Sequence, residues 1–268
     1  MRVNFFRGMR VIFLFLFVGG CHLAYPFEEV KTIDVRAFSL GQMKALSQGF
    51  SNPAYLPFAE RKQIGISVLN RFEMKELSTR SVFGLIPNRL LDMSFHLSMF
   101  GYDEYQLIEG QVGFAKKLSQ GFSIGTSVSY LTKNSILEEK IQSYLQADIS
   151  CLWKINDAFE WALATENLLH TRNTQPSYCF SGVKYQLIPT TGILLESGYD
   201  FSNKLVSVSA GIEYEIVNRF IARGGFRNNL KMTSLGFSYQ LEHWNVETAF
   251  LFHSALGVSG GISVAYLF

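Results

Sequence analysis

Two pairs of residues in this chain have the types that hydrolytic chemistry uses. His253 is followed directly by Ser254, and Asp92 stands four residues before His96. A histidine must contact the hydroxyl that it activates, but neighbours on a strand point to opposite faces, so we do not expect a His253–Ser254 catalytic pair. Asp92 and His96 fall on one face of a predicted strand, where we expect an internal hydrogen bond. With no Gly-rich phosphate loop and no Cys/His metal set, we predict no catalytic residue, metal site or cofactor.

The three cysteines differ in their surroundings. Cys21 ends the stretch VGGC, which is similar to a bacterial lipobox and makes Cys21 a candidate for a lipidated N-terminus. Cleavage by ordinary signal peptidase after Gly20 or Ala24 is the alternative. Cys151 and Cys179 fall on predicted strands without metal-like spacing, so we interpret them as packing residues or as a disulfide pair.

The N-terminus has the pattern of a secretory signal peptide. Arg2, Arg7 and Arg10 precede the apolar run VIFLFLFVGG, which ends at Gly20. A positive segment, a short apolar core and small residues at its end are typical of such a peptide, whereas a membrane-spanning helix needs about 20 apolar residues. We therefore predict a signal peptide over 1–20 and an exported mature chain.

The composition favours a membrane protein over a nucleic-acid-binding one. Charged residues make up 17% of the 268 residues and aromatic residues 15%, with a formal net charge of +2. Soluble domains average about 25% charged residues, and nucleic-acid binding requires a clustered basic face. We predict outer-membrane lipid as a partner and no nucleic acid.

Strict alternation of large apolar residues with small or polar ones recurs down the chain. It is clear in LVSVSAGIEYEI (205–216), in LDMSFHLSM (91–99) and in the final GVSGGISVAYLF (257–268). A period of two indicates a strand with one apolar face. We count about fourteen such strands of 9–13 residues after residue 62, of which 75–86 fits least well.

Strand length and number predict a transmembrane barrel. About 9–11 tilted residues cross the hydrocarbon core of a bilayer, and only helices or closed barrels satisfy every backbone group there. A soluble sandwich also alternates, but its strands average about 5–6 residues. We predict an all-β, antiparallel, up-and-down transmembrane barrel over 63–268, located in the bacterial outer membrane.

The connections between the predicted strands sort into two sets. The two longest, TKNSILEEK (132–140) and HTRNTQPS (170–177), fall in the same set. Outer-membrane barrels have short periplasmic turns and longer outer loops, so this set is predicted to lie outside the cell. We also expect Tyr266 and Phe268, at the end of the last strand, to act as the assembly signal that the barrel-assembly machinery recognises.

The inward positions of these strands carry many charges. They are Asp92, Glu109, Asp148, Glu160, Glu166, Glu196, Glu213, Arg223, Arg227 and Glu247. Isolated buried ions are costly, so a charged interior must be internally paired or wet. Two interpretations stay open: charge pairs that rigidify a closed barrel, and a polar-solute passage or lumenal binding site.

The stretch 33–60 carries a resemblance to a known family. It contains Asn52, Pro53 and Ala54, followed by Leu56, ahead of the alternating strands. This resembles the N-terminal segment of the FadL-type outer-membrane superfamily, which includes long-chain fatty acid transporters and the PorV/PorQ-like barrels of Bacteroidetes. LESGYDF, ARGGFR and LGFSYQL in the C-terminal half are similar to that group as well.

The resemblance implies a barrel of fourteen strands whose N-terminal segment, here 21–62, enters the lumen as a hatch. The alternative is that 33–60 forms a periplasmic lead-in. The chain lacks the extended outer loops of the fatty acid transporters, and its interior is charged.

Two functions are compatible with these expectations, and neither is enzymatic. The first is a partner-binding or secretion-associated component of the outer membrane, whose partners would be secretion-system or periplasmic proteins. The alternative is a hatch-gated transport channel for a small hydrophobic or amphipathic solute.

Overall fold

The computed structural model describes residues 34–136, 141–168, 176–229 and 231–268. The predicted signal peptide, 1–20, and the predicted lipidation site, Cys21, lie outside the described residues. Within these ranges, one short α-helix, one 3₁₀ helix at Pro53–Phe58 and another at Lys75–Leu77 accompany the strands. Among the described residues, no helix is long and apolar enough to span a membrane.

Fourteen strands follow one another along the chain, in agreement with the number expected from the alternation. The α-helix is α1, Val35–Ser39. The strands are β1 Gln63–Asn70, β2 Ser78–Ile86, β3 Asp92–Tyr102, β4 Tyr105–Lys117, β5 Phe122–Ser135, β6 Gln142–Asn156, β7 Phe159–Glu166, β8 Tyr178–Ile188, β9 Thr191–Asp200, β10 Leu205–Val217, β11 Phe220–Arg227, β12 Met232–Gln240, β13 Trp244–His253 and β14 Gly257–Leu267.

The sheet closes on itself. Each strand pairs in antiparallel fashion with its sequence neighbours, and β1 pairs with β14 from Gln63↔Leu267 to Asn70↔Gly260. Closure leaves no unpaired edge, as a bilayer requires. The predicted fold class, a closed antiparallel up-and-down barrel of fourteen strands, is confirmed. We name the end where β1 begins and β14 finishes the terminal end, and the opposite one the far end.

The alternation along each strand separates an apolar outer face from a small and polar inner face. On β3, Leu97 is 55% exposed and Met93 and Phe95 point the same way, whereas the adjacent His96 is 3% exposed. Large apolar side chains that stay exposed in a band around a closed barrel are those that meet hydrocarbon. The period of two in the sequence therefore arises because successive side chains point alternately out toward hydrocarbon and into the lumen.

Two predicted boundaries were wrong. The segment expected as a strand from residue 75 begins with the 3₁₀ helix Lys75–Leu77, and β2 starts only at Ser78. Phe72 and Glu73 have positive φ angles, so the chain turns here before it can pair. The second wrong boundary is the end of β5. This strand continues to Ser135, into the predicted outer connection, because residues 132–135 still pair with residues 105–108 of β4.

Residues 34–60, which we name the lumenal segment, lie inside the barrel and not beside it. Helix α1 contacts β11 to β14, and the 3₁₀ helix Pro53–Phe58 contacts β3 to β6. Asp34 caps α1, because its carboxylate accepts hydrogen bonds from the Ala37 amide and the Ser47 hydroxyl. The lumenal segment thus crosses the interior from one wall to the other.

Inward glycines give the lumenal segment its room. A Cβ at Gly225 would lie 2.7 Å from Leu40 Cα, and one at Gly125 would lie 2.6 Å from the Ala54 amide nitrogen. Real Cβ atoms are not found so close to backbone. The wall is therefore shaped to the segment that fills it.

Candidate functional site

A cluster of ion pairs joins the lumenal segment to β8, β10, β11 and β13. Arg36 donates from Nε and Nη2 to the two carboxylate oxygens of Glu213, at 2.9 and 3.0 Å. Lys184 Nζ lies 3.1 Å from Glu213, and Arg223 bridges Glu213 at 2.9 Å to Glu247 at 3.3 Å. A two-point arginine–carboxylate contact fixes orientation as well as position. This cluster holds α1 against the wall.

Arg36 remains charged in this position. Burial disfavours the guanidinium ion, but the Glu213 carboxylate outweighs that effect and raises the pKa of Arg36 above its usual value. Arg36 also donates from Nη1 to the carbonyl oxygen of Leu46 at 2.9 Å. The charge is therefore satisfied on both sides, as burial of an ion requires.

A second attachment involves Glu196 on β9. Its carboxylate accepts hydrogen bonds from the amides of Lys44, at 2.8 Å, and Leu46, at 3.2 Å. The Lys44 ammonium lies 3.1 Å from Glu166 on β7. An inward carboxylate here takes the place that water would otherwise have beside the irregular backbone of the lumenal segment.

The Asn-Pro-Ala sequence shapes the start of the 3₁₀ helix. Asn52 caps it, since its side-chain oxygen accepts from the Ala54 amide at 3.0 Å while its side-chain nitrogen donates to the Ala45 carbonyl oxygen. Pro53 takes the first helical position, where a missing N–H costs nothing. Ala54 accepts from Ser123 on β5 at 2.6 Å, and Leu56 is fully buried. The motif therefore docks the second half of the lumenal segment.

A cavity of about 510 Å³ lies at the terminal end, between the lumenal segment and the wall. Its apolar side is formed by Phe50, Leu56, Phe83, Leu85 and Ala265, which pack as one cluster with Ala115. Charged side chains also line it: Asp34, Arg36, Glu60, Arg61, Lys154, Arg219 and Glu247. The cavity is therefore amphipathic.

Tyr55 and Phe58 form the side of the cavity nearest β6. Burial raises the pKa of Tyr55 well above its usual value, with a further contribution from the nearby Glu160 carboxylate, so the phenol stays neutral. Phe58 lies under two ammonium groups, those of Lys154 at 4.4 Å and Lys117 at 4.9 Å from its ring centre. Cation–π contacts of this kind hold the ring at the rim.

The other inward charges have local partners. Asp92 accepts from the amide of Asn88 in the turn before β3. Among the described residues Asp92 makes no hydrogen bond to His96, because residues four apart on a strand stand about 13 Å apart. The predicted Asp92–His96 hydrogen bond was therefore wrong. Asp148 accepts from the Asn167 amide.

Two further inward charges lie near the far end. Arg227 donates to Asn229 at 2.9 Å. Glu109 is 4% exposed and faces inward on β4. Each lies on the inner face that the alternation assigned to it.

His253 has a structural position at the far end. Its Nδ1 accepts hydrogen bonds from the amides of Ala255 and Leu256, and its ring meets the ring of Phe72 edge-on. Nδ1 of His253 therefore serves to fix the turn after β13. Cys151 and Cys179 are free thiols on the outward face, which excludes the disulfide alternative. In the part of the chain that the structure describes, no group of acidic, Cys or His residues is placed to hold a metal ion.

The sequence analysis did not identify the cations that neutralise the interior. Arg36 and Lys44 come from the lumenal segment and Lys184 from an inward position of β8. The available signal was the excess of carboxylates among the inward strand residues. Since buried carboxylates need partners, that excess indicates cations supplied from outside the strands.

Aromatic residues gather where the barrel closes. Phe268 donates its amide to the Lys62 carbonyl oxygen at 2.9 Å, just before β1. Its ring contacts Tyr266 at 5.0 Å, and Tyr266 contacts Trp244 at 5.0 Å. The last residue thus belongs to the seam and to an aromatic band at the terminal end.

No protein-family model matches this chain, and no curated protein matches its sequence. Solved structures do match its fold. A FadL homologue of Pseudomonas aeruginosa has a TM-score of 0.67 at 10% identity, over 88% of this chain and 98% of that one.

Two channels give similar values. The CymD monoaromatic hydrocarbon channel has a TM-score of 0.68 at 11% identity, over 88% of this chain and 97% of its own. The Pseudomonas putida toluene transporter TodX has 0.64 at 10% identity, over 86% and 96%. At such low identity the likeness concerns the fold, and the chain has the fold of FadL-type outer-membrane barrels.

Proposed function

We propose that this protein is an outer-membrane channel for a small amphipathic solute, closed by its lumenal segment. The observation that carries the proposal is the amphipathic cavity between that segment and the wall. We place this function ahead of the partner-binding or secretion-associated component that the sequence first favoured, because the cavity supports transport directly.

The size and lining of the cavity suit a solute and not merely water. Ligand sites usually measure about 300–1,000 Å³ and combine an apolar wall with a few polar groups. The cavity of about 510 Å³ falls within that range. Phe50, Phe83 and Leu85 form the apolar wall, and Asp34 and Glu247 are among the polar groups of the lining.

The lumenal segment has the attachments expected of a movable hatch. It is held by ion pairs and hydrogen bonds to Glu213 and Glu196, and its covalent link to the wall among the described residues is the short stretch of chain that leads into β1. A barrel of fourteen strands is wide enough to conduct water or to need a plug. Displacement of the segment would therefore open a passage without disturbing the strand pairing.

The comparisons support transport. Two of the similar structures are described as a monoaromatic hydrocarbon channel and a toluene transporter. The charges of Asp34, Arg36 and Glu247 in the cavity lining argue for a solute that also carries a polar group, because a purely apolar molecule would gain nothing from a charged lining.

The placement in the cell follows from the same proposal. The predicted signal peptide, 1–20, would export the chain, and the outward apolar residues would lie in the outer membrane. The terminal end, with its short turns, would then face the periplasm, and the cavity would open there. Cys21 remains a predicted lipidation site in this arrangement.

Liposome swelling tests the proposal. The purified barrel is reconstituted into liposomes, which are diluted into isotonic glucose or isotonic phenyl glucoside. A simple water-filled pore admits the smaller glucose faster, whereas an amphipathic path admits phenyl glucoside at least as fast. We expect phenyl glucoside to enter at least as fast as glucose.

The opposite order would contradict an amphipathic path. No swelling with either solute, in wild type and in a variant with a weakened lumenal segment such as Arg36→Ala, would reject transport and return the platform function to first place. The matched control is Arg89→Ala, which removes an exposed arginine from a turn at the terminal end.

A further inference from the structure

We propose that the solute path runs along the wall formed by β2 to β6 and that Phe50 is its gate. The inference rests on the proposed transport function and adds to it the route, the gating residue and the kind of polar group that the solute carries. It is argued from buried polar atoms, from the position of one aromatic ring and from the uneven attachment of the lumenal segment.

Unpartnered polar atoms concentrate on one wall. The side chains of Thr79 on β2, His96 on β3, Ser129 on β5 and Ser150 on β6 are all at most 4% exposed. Within the described ranges, the hydroxyl groups of Thr79, Ser129 and Ser150 and Nε2 of His96 have no hydrogen-bonding partner. Buried polar groups are nearly always satisfied in folded proteins. This wall is therefore adapted to something that supplies hydrogen bonds.

The four neighbouring strands β3 to β6 each bring one polar side chain into a row. His96 is the cross-strand partner of Gln111, Gln111 of Ser129, and Ser129 of Gln146. Directly opposed inward residues on neighbouring strands lie about 5 Å apart. The row therefore forms a polar track across β3 to β6, at mid-height in the lumen.

The opposite wall is satisfied by the lumenal segment itself. Ser209 donates to the Gly41 carbonyl oxygen at 3.0 Å, and Ser234 donates to the Ser39 carbonyl oxygen at 2.9 Å. No unpartnered atom of the same kind is found on β8 to β14 in the residues that the structure describes. The first half of the segment is thus fixed to this wall. Residues 48–51, which separate it from the docked 3₁₀ helix, make no hydrogen bond among the described residues, and they are the part that can move.

Phe50 stands between the cavity and the polar track. It lines the cavity, and its ring stacks on His96 with 4.1 Å between ring centres and 4° between planes. Gly49, the preceding residue, has a φ of +106°, a conformation that glycine adopts without strain. Rotation about Gly49 would withdraw the ring and connect the cavity to the track.

The unpartnered atoms on this wall belong to uncharged groups: the hydroxyls of Thr79, Ser129 and Ser150 and the imidazole of His96. A solute hydroxyl, carbonyl or amide would satisfy them, and its apolar part would lie against Phe83 and Leu85. We therefore assign the path to amphipathic molecules with an uncharged polar group, such as phenyl glucoside.

Cysteine labelling tests the route independently of transport. Ser129→Cys on the track and Ser209→Cys on the opposite wall are prepared with Cys21, Cys151 and Cys179 replaced by alanine. Each is treated in liposomes with a membrane-impermeant thiol reagent, with Phe50 intact or as Phe50→Ala. We expect Phe50→Ala to raise the labelling rate of Ser129→Cys at least tenfold and to leave Ser209→Cys unchanged.

Phe38→Ala is the matched control, because Phe38 is a buried phenylalanine of the same segment that lies against the other wall. It should leave Ser129→Cys protected. Phe50→Trp, which keeps the ring, should do the same, and retention of the compact, heat-modifiable form in electrophoresis shows that each variant is folded.

Equal labelling of both cysteines in Phe50→Ala would mean that the whole segment departs, and no labelling of Ser129→Cys would mean that Phe50 is not the gate. Either result overturns the inference even if phenyl glucoside is transported. If the liposomes do not swell although Phe50→Ala speeds the labelling of Ser129→Cys as expected, the proposed transport function is rejected instead.

Discussion

Arg36 and Glu213 are separated by 177 positions in the chain, yet they form a two-point ion pair across the lumen, at 2.9 and 3.0 Å. The contact joins the start of the lumenal segment to β10, in the terminal half of the barrel. Because Lys184 and Arg223 also reach Glu213, the wall presents a carboxylate already surrounded by cations, and Arg36 completes the set. The closed state of the barrel thus depends on this cluster.

Replacement of Arg36 by alanine should loosen the lumenal segment without opening the sheet. Removing one partner of a buried ion pair costs about 3–5 kcal/mol, although Lys184 and Arg223 remain beside Glu213 and reduce that cost. We expect the amides of α1 to exchange with deuterium about one hundred times faster, while amides of β10 are unchanged. Arg89→Ala is the control. Unaltered exchange in α1 would show that the ion pair does not hold the segment.

A methyl group at Gly225 should push the lumenal segment from the wall. The added Cβ would lie 2.7 Å from Leu40 Cα, and overpacking of this kind costs about 1–3 kcal/mol. Gly224 is the matched control, because it faces outward and a Cβ there finds its nearest neighbour at 3.7 Å. Limited proteolysis of folded barrels should cut the segment faster in Gly225→Ala than in Gly224→Ala. Equal cutting in both variants would contradict the close fit.

The alternation in the sequence was sufficient to predict the strands and the direction of their side chains. Every strand has one face in hydrocarbon, so its apolar residues recur with a period of two. It could not locate the lumenal segment. The contacts of Arg36, Lys44 and Asn52 join positions far apart in the chain or depend on irregular backbone. Such contacts produce no periodic pattern in the sequence. Inward glycines such as Gly225 were visible as residues, but their role required knowledge of what lies opposite.

The boundaries that were wrong have a common cause. At Ser78 and at Ser135 the strand limits are set by turns and pairing beyond the bilayer, where hydrophobic alternation is no longer required. The route proposed along β2 to β6 was likewise hidden, since Thr79, Ser129 and Ser150 occupy inward positions like any other small polar residue. Only the count of hydrogen-bonding partners distinguishes them from Ser209.

The final residue should contribute to assembly. Phe268 pairs with the chain just before β1 and contacts Tyr266, so it lies where the barrel closes. Phe268→Ala should lower the amount of barrel inserted in the outer membrane several-fold, while export to the periplasm continues. Phe252→Ala, an outward phenylalanine near the far end of β13, is the control. The measurement is the heat-modifiable fraction in membranes, and unchanged insertion of Phe268→Ala would refute the role.

The outward face can be tested by a charge placed at mid-height. Leu97 lies near the middle of β3 and is 55% exposed on the face assigned to hydrocarbon. An arginine there should destabilise the folded barrel by about 2–4 kcal/mol, the cost measured near a bilayer midplane. Leu90→Arg is the control: it makes the same replacement at an exposed leucine in the turn before β3, outside the apolar band, so it should change stability little. Urea unfolding in lipid vesicles measures both; equal stability of the two variants would show that Leu97 does not face the membrane interior.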